Sequence, residues 1–451
     1  MRVLVLSHSA APHNFGGAEL ALVELLDTWR EFDPETVFLV VARPPSGLLD
    51  LQLAARGIEL ELLDFTHTVS SVPEGEGGFE GLLTDIAAVG RLREVIRDFH
   101  PDLVVTNTIV APWAAIAANL EKVPHVLFAH EFGAPEHGLH FRLGAAETFD
   151  DFASLSDYVV ANSGPLRDHL AQWIPERKLL VLHPTLSATE LQRKAAVPGF
   201  VPPARPDAGL VVAVVGRIAK GKGQDLVLRA LAELGAPAIT VWFIGILPAD
   251  FEQEFLALID ELDVRSSVVL VGAVDNPLPY IAAADVGVNA SRNESFGRVT
   301  LEYMALGKPV IATDTGVATE IIRSGIDGIV VPRDDVGALA AAIGGYLADP
   351  GLAAVHGASA SRRLAEFEDA HPRRVVLETI TGVGAAPREP LVAIPHAIAH
   401  WTEPGPSAIR LFEMRQHSLA SELRGSATWR AGSVLTAPVR LAIRVLRRGR
   451  S

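Results

Sequence analysis

The feature that most constrains the fold is an alternation of short, almost purely apolar runs with longer helical patterns. Runs such as Arg2–Ser7 and Leu210–Val215 do not alternate polar with apolar residues, so they predict strands buried on both faces of a parallel sheet. Helical stretches such as Ala18–Arg30 and Gln224–Leu234 lie between the runs. The pattern therefore predicts an α/β protein built from βαβ units.

The alternation stops once, over residues 185–209, where Pro198, Pro202, Pro203 and Pro206 replace any sustained periodicity. Such segments connect domains, so we predict a linker there. Residues 1–184 and 210–383 then form two Rossmann-like, doubly wound domains that face each other across a cleft. Ligands bind such sheets beyond the carboxyl ends of their strands, and the cleft is therefore the predicted site.

The amino-acid composition excludes several classes of function. With 54 acidic and 39 basic residues the net charge is −15, which argues against a general nucleic-acid partner because phosphate contacts need clustered Lys and Arg. The chain has no cysteine, and this excludes disulfides, thiolate metal sites and a cysteine nucleophile. The apolar start, Met1–Ser7, is too short for a signal-peptide core, and polar residues interrupt the longest uncharged run, Leu103–Leu120. We expect a soluble, cytoplasmic protein.

The end of the chain differs from the rest. Residues 384–451 form an extension that starts rich in proline and loses the alternation, and its last part, 423–451, carries seven arginines and no acidic residue. Apolar residues and arginines interleave between Leu435 and Arg448, a pattern typical of an amphipathic helix on an anionic lipid surface. Peripheral attachment to the inner face of the plasma membrane is one interpretation, and a solvated or partner-binding tail is the other.

The most informative motif is NESFGRVTLE at residues 293–302, which predicts a strand end, a glycine loop and a helix. A helix N-terminus offers unpaired N–H groups and partial positive charge, so the backbone at Phe296 and Gly297 suits a phosphate. Glu294 and Glu302 flank this point, and carboxylates accept hydrogen bonds from sugar or ribose hydroxyls. The alternative is a pair of acids favoured near a helix start by its dipole alone.

A second motif, VGRIAKGKG at residues 215–223, follows the first strand of the second domain. Gly216 lets the backbone approach a ligand closely, and Arg217 and Lys222 bring two positive charges to one loop. Only six lysines occur in the chain, and two of them, Lys220 and Lys222, lie here. This concentration favours an anion site over a generic solvated loop.

Two further candidates lie in the first domain. Gly16 and Gly17 permit close backbone approach at a predicted helix start, unless they form a plain tight turn. His130 ends a predicted strand on the side of the cleft, unless it is a satisfied core histidine. The spacing of the nearby histidines fits no standard zinc pattern, and we predict no metal site among His125, His130, His137 and His140.

Together, in this order, these motifs resemble the retaining GT-B glycosyltransferases of family 4, from the N-terminus to about residue 370. Glu294 and Glu302 form an E-x7-E pattern, and the run 307–312 followed by Glu320 matches as well. The resemblance implies a nucleotide-diphosphate sugar as donor and a glycan or lipid-linked acceptor. It also implies a role in bacterial cell-surface polysaccharide synthesis.

The resemblance assigns roles in the second domain. Arg217 and Lys222 would neutralise the donor diphosphate. Glu294, with the backbone N–H groups of Phe296 and Gly297, would hold the transferred sugar. The chain contains no Asp-x-Asp triplet, with which many glycosyltransferases bind Mg²⁺. The two cations and the helix end supply equivalent charge, so we expect a metal-independent reaction without a cofactor.

The remaining roles involve the ribose and the opposite domain. Glu302 would bind the ribose, Gly16 and Gly17 would lie beneath the donor phosphates and sugar, and His130 would touch the sugar near the reacting carbon. Retention would follow from attack on the face that the nucleotide leaves, with a donor phosphate oxygen taking the acceptor proton.

The chain departs from the family pattern at three places. Gly221 stands where a glutamate usually precedes the phosphate lysine, Val317 replaces the second glycine of a pair, and residues 183–185 read HPT in place of Asn-Gly-Val. Two alternative functions also remain: a nucleotide-sugar isomerase or hydrolase that needs no acceptor, and a non-catalytic nucleotide-sugar or glycan-binding protein with the same fold.

Overall fold

In the computed structural model the described residues are 1–11, 16–70, 78–133, 140–184, 186–205, 209–235, 238–370, 373–385 and 395–398. They form two α/β domains, each around a parallel sheet, which confirms the predicted fold class. The predicted basic tail, residues 423–451, lies outside the described residues.

The first domain is built on a seven-stranded parallel sheet, in the order β3-β2-β1-β5-β6-β8-β9. A short antiparallel pair, β4 with β7, lies beside it. The strands are β1 (Arg2–Ser7), β2 (Val37–Ala42), β3 (Glu59–Leu62), β4 (Val69–Ser70), β5 (Leu103–Thr106), β6 (His125–Ala129), β7 (His140–Phe141), β8 (Tyr158–Ala161) and β9 (Leu179–Val181). The helices are α1 (Gly17–Phe32), α2 (Leu48–Ala54), α3 (Gly78–Phe99), α4 (Trp113–Leu120), α5 (Ala145–Leu155) and α6 (Gly164–Leu170).

The second domain follows a helix α7 (Ala188–Ala195) and has a six-stranded parallel sheet in the order β12-β11-β10-β13-β14-β15. Its strands are β10 (Leu210–Val215), β11 (Ile239–Ile244), β12 (Val268–Gly272), β13 (Val286–Asn289), β14 (Val310–Thr313) and β15 (Gly328–Val331). Its helices are α8 (Gln224–Leu234), α9 (Ala249–Glu261), α10 (Leu278–Ala283), α11 (Arg298–Ala305), α12 (Ala318–Ile321), α13 (Val336–Ala348) and α14 (Pro350–Ala370).

Both sheets have a point where the strand order reverses, between β1 and β5 in the first and between β10 and β13 in the second. A crevice opens at such a point because the loops after the two central strands lead to opposite faces of the sheet. The predicted site residues lie in the loops after β1, β6, β10 and β13, except Gly17, the first residue of α1, and Glu302, which lies in α11. The topology thus gathers the motifs at the carboxyl ends of the two sheets.

The chain differs from the prediction at the linker. Residues 188–195 form α7, whose N-cap Ser187 accepts a 3.2 Å hydrogen bond from the backbone N–H of Glu190. Leu191 is the one buried side chain of this helix, and it packs into the second domain's core with Leu186. One buried residue in eight gives no periodicity, so the sequence pattern misses this helix.

The end of the second segment also differs. A last helix, α15 (Arg373–Thr381), falls within the predicted second domain, but Leu377 and Ile380 pack into the core of the first domain beside Trp29 of α1. Backbone N–H groups of residues 396 and 397 likewise donate to the buried carboxylate of Asp151. The chain therefore returns to the first domain before its end.

No single helix in the described ranges is both long and apolar enough to cross a membrane. The pair Val336–Ala348 and Pro350–Thr381, bent by 106°, passes that test only when its members are taken together. The buried side chains of α13 pack against α8 in the core of the second domain, among them Leu339 and Ile343.

Candidate active site

The loop after β10 is held in shape by a glycine. Residues Lys220–Lys222 form one turn of 3-10 helix, and Gly223 follows with φ +68° before α8 begins. A Cβ atom at Gly223 would collide with the carbonyl oxygen of Ala290, at the end of β13. The loop that carries Lys222 is thus pressed against the loop that carries Glu294.

We expect Gly223→Ala to lower the free energy of unfolding by about 3 kcal/mol or more, because it adds a left-handed backbone conformation for a non-glycine residue to a steric collision. Gly221→Ala is the matched control two residues away, since a Cβ atom there meets nothing within 4 Å. Urea unfolding of both variants measures the difference, and equal stabilities would contradict this packing.

Lys222 and Glu294, from two motifs far apart in sequence, meet at the centre of the site. Lys222 Nζ lies 2.7 Å from Glu294 Oε2, and the hydroxyl of Ser291 donates to the same oxygen at 3.2 Å. The lysine side chain is 40% exposed and the glutamate 17%. The pair lies where β10 and β13 end, so a ligand's anionic and hydroxyl groups would find both partners at one point.

Arg217 extends into solvent from the same loop, and among the described residues nothing forms an ion pair or hydrogen bond with its guanidinium. Its backbone is fixed instead, because the buried side chain of Gln224 donates to the Arg217 carbonyl at 3.0 Å and accepts from Ala219 N–H at 3.3 Å. Gln224 was not among the residues predicted from the sequence. The available signal was a polar residue at the start of a helix that follows a glycine loop.

The helix start predicted to hold an anion is present. Gly297, at φ +87°, is the N-cap of α11, and no side chain in the described part of the chain caps the helix. Phe296 is buried, and its carbonyl accepts a 2.8 Å hydrogen bond from Val317 N–H, which anchors the loop to the segment after β14. A helix start of this kind can donate its first N–H groups to a ligand, and the contacts from the N–H groups of Phe296 and Gly297 stay a prediction.

Glu302 lies one turn into α11, and its side chain is 16% exposed. Burial raises the pKa of its carboxyl group, and the positive charge of Arg298 opposes that shift. Arg298 also forms a 2.6 Å ion pair with Glu24 of α1, in the other domain. Helix α11 therefore faces helix α1 across the boundary between the domains.

On the side of the first domain, Gly16 is the N-cap of α1, again with no cap from a described side chain, and Gly17 is exposed. A Cβ atom at Gly17 would meet no atom of a described residue within 4 Å. Nearby, the buried carboxylate of Glu19 lies 3.3 Å from Nε2 of His8, which follows β1. The glycine backbone and this pair lie together beyond the carboxyl end of β1.

His130 follows β6, and its tautomer is set by Asn107. The Asn107 amide nitrogen donates to the carbonyl of Ala18 at 3.2 Å, so the amide oxygen faces His130 Nε2, 2.8 Å away, and that nitrogen must carry the proton. The His130 carbonyl accepts from the hydroxyl of Ser295, the neighbour of Glu294. The structure thus brings the backbone of His130 against the loop that carries Glu294 in the second domain.

We expect His130 to make stability depend on pH. Burial, with a smaller contribution from His8, lowers the pKa of His130 from 6.5 to about 4. Between these values the unfolded chain binds a proton that the folded chain does not, so the free energy of unfolding falls as the pH drops from 6.5 towards 4. Urea unfolding at pH 7 and pH 5 should show that the free energy of unfolding falls less in His130→Gln than in the unmodified protein. An equal fall in the two proteins would contradict this role of His130.

Contacts between the domains surround the cleft, and the sequence did not predict their pairing. Glu320 accepts hydrogen bonds from the backbone N–H of Gly164 at 2.9 Å and from Nε2 of His183 at 3.2 Å. The hydroxyl of Ser163 donates to the carbonyl of Ser295. These contacts fix the orientation in which the two halves of the site meet.

The described ranges hold no cluster of three or more His, Asp or Glu side chains that could bind a metal ion. Of the histidines considered from sequence, His125 is buried and bonded to the hydroxyls of Thr106 and Ser156, which gives it a structural role. His137 lies outside the described residues.

Comparison with known proteins identifies relatives of both domains. A family model described as Glycosyltransferase Family 4 matches residues 15–189, and one described as Glycosyl transferases group 1 matches residues 209–349. A D-inositol 3-phosphate glycosyltransferase of Nocardia farcinica is 31% identical over 375 residues, which cover 73% of this chain and 82% of that protein. A lipopolysaccharide core biosynthesis mannosyltransferase of Rhizobium leguminosarum is 37% identical over 163 residues, 34% of this chain and 45% of that protein. The chain thus spans less than half of the mannosyltransferase.

Solved structures share the architecture. An Anabaena protein, HepE, in complex with UDP superposes with a TM-score of 0.68 at 22% identity, covering 85% of this chain and all of that one (100%). A sucrose-phosphate synthase of Thermosynechococcus elongatus superposes with a TM-score of 0.63 at 18% identity, covering 84% of this chain and 98% of that one. At these identities the likeness establishes the two-domain GT-B fold.

Proposed function

The chain belongs to the group 1 glycosyltransferases of family 4, and we propose that it transfers a sugar from a nucleotide-diphosphate donor to a glycan or lipid-linked acceptor. The observation that carries the proposal is the meeting of Lys222 and Glu294, 2.7 Å apart, at the ends of the central strands. A cation for the diphosphate and a carboxylate for sugar hydroxyls lie side by side there, next to an uncapped helix start at Gly297.

In the proposed reaction the bond between the anomeric carbon and the donor diphosphate breaks, and a bond to the acceptor oxygen forms. Negative charge develops on the leaving diphosphate, where Lys222, Arg217 and the start of α11 are placed to stabilise it. The acceptor hydroxyl loses its proton to a donor phosphate oxygen, and the nucleoside diphosphate leaves. Because these groups supply the positive charge, we propose that the reaction needs no metal ion.

We further propose that the anomeric configuration is retained, with the acceptor attacking on the face that the diphosphate leaves. The other residues have roles in positioning. Glu302 binds the ribose, the glycines at the start of α1 lie beneath the donor, and neutral His130 touches the sugar. Solution NMR of the product, which distinguishes α- from β-linked sugar, tests retention, and an inverted linkage would contradict it.

The acceptor is proposed from the relatives. Two of them, from Rhizobium leguminosarum and Rhizobium meliloti, are named for lipopolysaccharide core biosynthesis, which supports a role in bacterial cell-surface polysaccharide synthesis.

The seven arginines of residues 423–451 support peripheral attachment to an anionic membrane from the cytoplasmic side. Deleting that segment should abolish binding to anionic liposomes, and undiminished binding would contradict the attachment.

A panel of UDP-, GDP- and ADP-sugars tests the function, with nucleoside diphosphate release measured with and without cell-envelope lipid acceptors. We expect release that depends on acceptor and is insensitive to EDTA. Release without any acceptor would favour the alternative of a hydrolase. Binding of nucleotide sugars without turnover would favour a non-catalytic binding protein, and EDTA-sensitive turnover would contradict metal independence.

A further inference from the structure

Arg298 lies between two carboxylates that come from opposite domains. Its Nη1 is 2.6 Å from Glu24 Oε2 in the first domain, and its Nε is 4.0 Å from Glu302 Oε1 in its own helix. The three side chains are mostly buried, with exposed fractions of 17% for Arg298, 24% for Glu24 and 16% for Glu302. One positive charge therefore serves two carboxylates, and only one of them is in direct contact with it.

The informative feature is that Arg298 forms no hydrogen bond with Glu302. Arg298 Nε is buried and has no hydrogen-bond partner within the described ranges, although a carboxylate lies nearby. A separation of 4.0 Å is beyond hydrogen-bond distance. Glu302 likewise accepts no hydrogen bond from any described residue, so its oxygens stay available to a ligand. The ion pair with Glu24 is what holds the guanidinium at this distance.

The charges explain why such an arrangement is useful. Burial raises the pKa of Glu302, and Arg298 opposes that shift without taking up the carboxylate oxygens. Burial raises the pKa of Glu24, although the positive charges of Arg298, Arg373 and Lys194 lower it. If Glu24 lost its charge, Arg298 would be free to move onto Glu302 and form the direct hydrogen bond that it now lacks.

We propose that Glu24 is a positioning residue for the donor's ribose: it holds Arg298 beside Glu302 but off its oxygens, so that the ribose hydroxyls can bind them. The assignment rests on the proposed function, in which Glu302 binds the ribose. Because Glu24 and Glu302 belong to different domains, the ribose site is complete only when the domains are arranged as they are here.

Calorimetric binding of UDP and of 2′,3′-dideoxy-UDP tests the assignment, with the GDP or ADP pair used instead if that nucleotide binds more tightly. We expect Glu24→Gln to weaken binding of the ribonucleotide about tenfold, the size of a lost hydrogen bond to a charged group, and to leave binding of the dideoxy nucleotide unchanged. Glu24→Asp keeps the charge and should recover part of the loss. Glu31→Gln, the same substitution at an exposed position of α1, is the matched control.

The possible outcomes distinguish a failure of the positioning role of Glu24 from a failure of the proposed function. Equal weakening of both nucleotides by Glu24→Gln, or no weakening of either, would overturn the positioning role alone. Failure of the unmodified protein to distinguish the ribonucleotide from its dideoxy form would also overturn it. Failure of the unmodified protein to bind any of UDP, GDP and ADP would overturn the proposed function and this assignment with it. If Glu24→Gln does not fold, the same comparison is made with Glu24→Asp, whose smaller loss must again be confined to the ribonucleotide.

Discussion

Replacing Lys222 by alanine should lower kcat about 10²- to 10³-fold, the range typical for removing one preorganised group that stabilises transition-state charge. Lys222 is the one cation in contact with Glu294 among the described residues, and its loop is fixed against β13 by Gly223. No other described lysine is placed to substitute, because Lys220 points to Glu254, 2.9 Å away. Steady-state turnover with the donor identified by the panel measures the effect.

Lys220→Ala is the control for this prediction. Lys220 belongs to the same turn of 3-10 helix, and its side chain is 70% exposed. An exposed ion pair contributes little, so we expect turnover within about twofold of the unmodified protein. Equal losses in the two variants would show that the loop's overall charge matters rather than the position of Lys222, and the site assignment would then be wrong.

Replacing Glu294 by glutamine should lower kcat about 10²-fold while leaving the affinity for the nucleoside diphosphate unchanged or higher. The side chain keeps its shape but loses the charge that accepts hydrogen bonds from sugar hydroxyls. Lys222, released from the 2.7 Å pair, is then free to bind phosphate. Turnover and calorimetric binding of the nucleoside diphosphate, measured on the same sample, reveal this divergence.

The matched control is Glu252→Gln, on the exposed surface of α9, for which we expect no change in either quantity. If Glu294→Gln weakened nucleoside diphosphate binding as strongly as turnover, Glu294 would act on the diphosphate or on the fold. If it left turnover intact, Glu294 would have no role in holding the sugar. Either result would contradict the assignment.

The sequence predicts the elements of the second domain closely. The predicted strand Leu210–Val215 and the predicted helix Gln224–Leu234 have the bounds that the structure gives them. The strand is a pure apolar run, and the helix ends at Gly235, whose left-handed conformation at φ +53° is a common helix stop. Helix α7 was missed because its local pattern carries one core residue, and α15 was assigned to the wrong domain because a local pattern does not show which core a helix joins.

The parts of the site that are formed by residues close together in the sequence could be predicted. Gly223 and Gly297 adopt positive φ, so the glycine loops are visible in the sequence as motifs. The contacts that join the two domains are not local: Glu24 and Arg298 are 274 residues apart, and no spacing rule connects them. Pairing of that kind depends on how the domains are arranged, which sequence patterns do not specify.

The most direct test of the account is a transfer assay that follows every product. The protein is incubated with its preferred nucleotide-diphosphate sugar and a cell-envelope acceptor, and mass spectrometry follows the acceptor, the free sugar and the nucleotide. We predict that the acceptor gains one sugar for each nucleoside diphosphate released, and that Glu294→Gln loses this gain while Glu252→Gln keeps it. Free sugar appearing in step with nucleoside diphosphate, with the acceptor unchanged, would contradict the claim that this chain is a transferase.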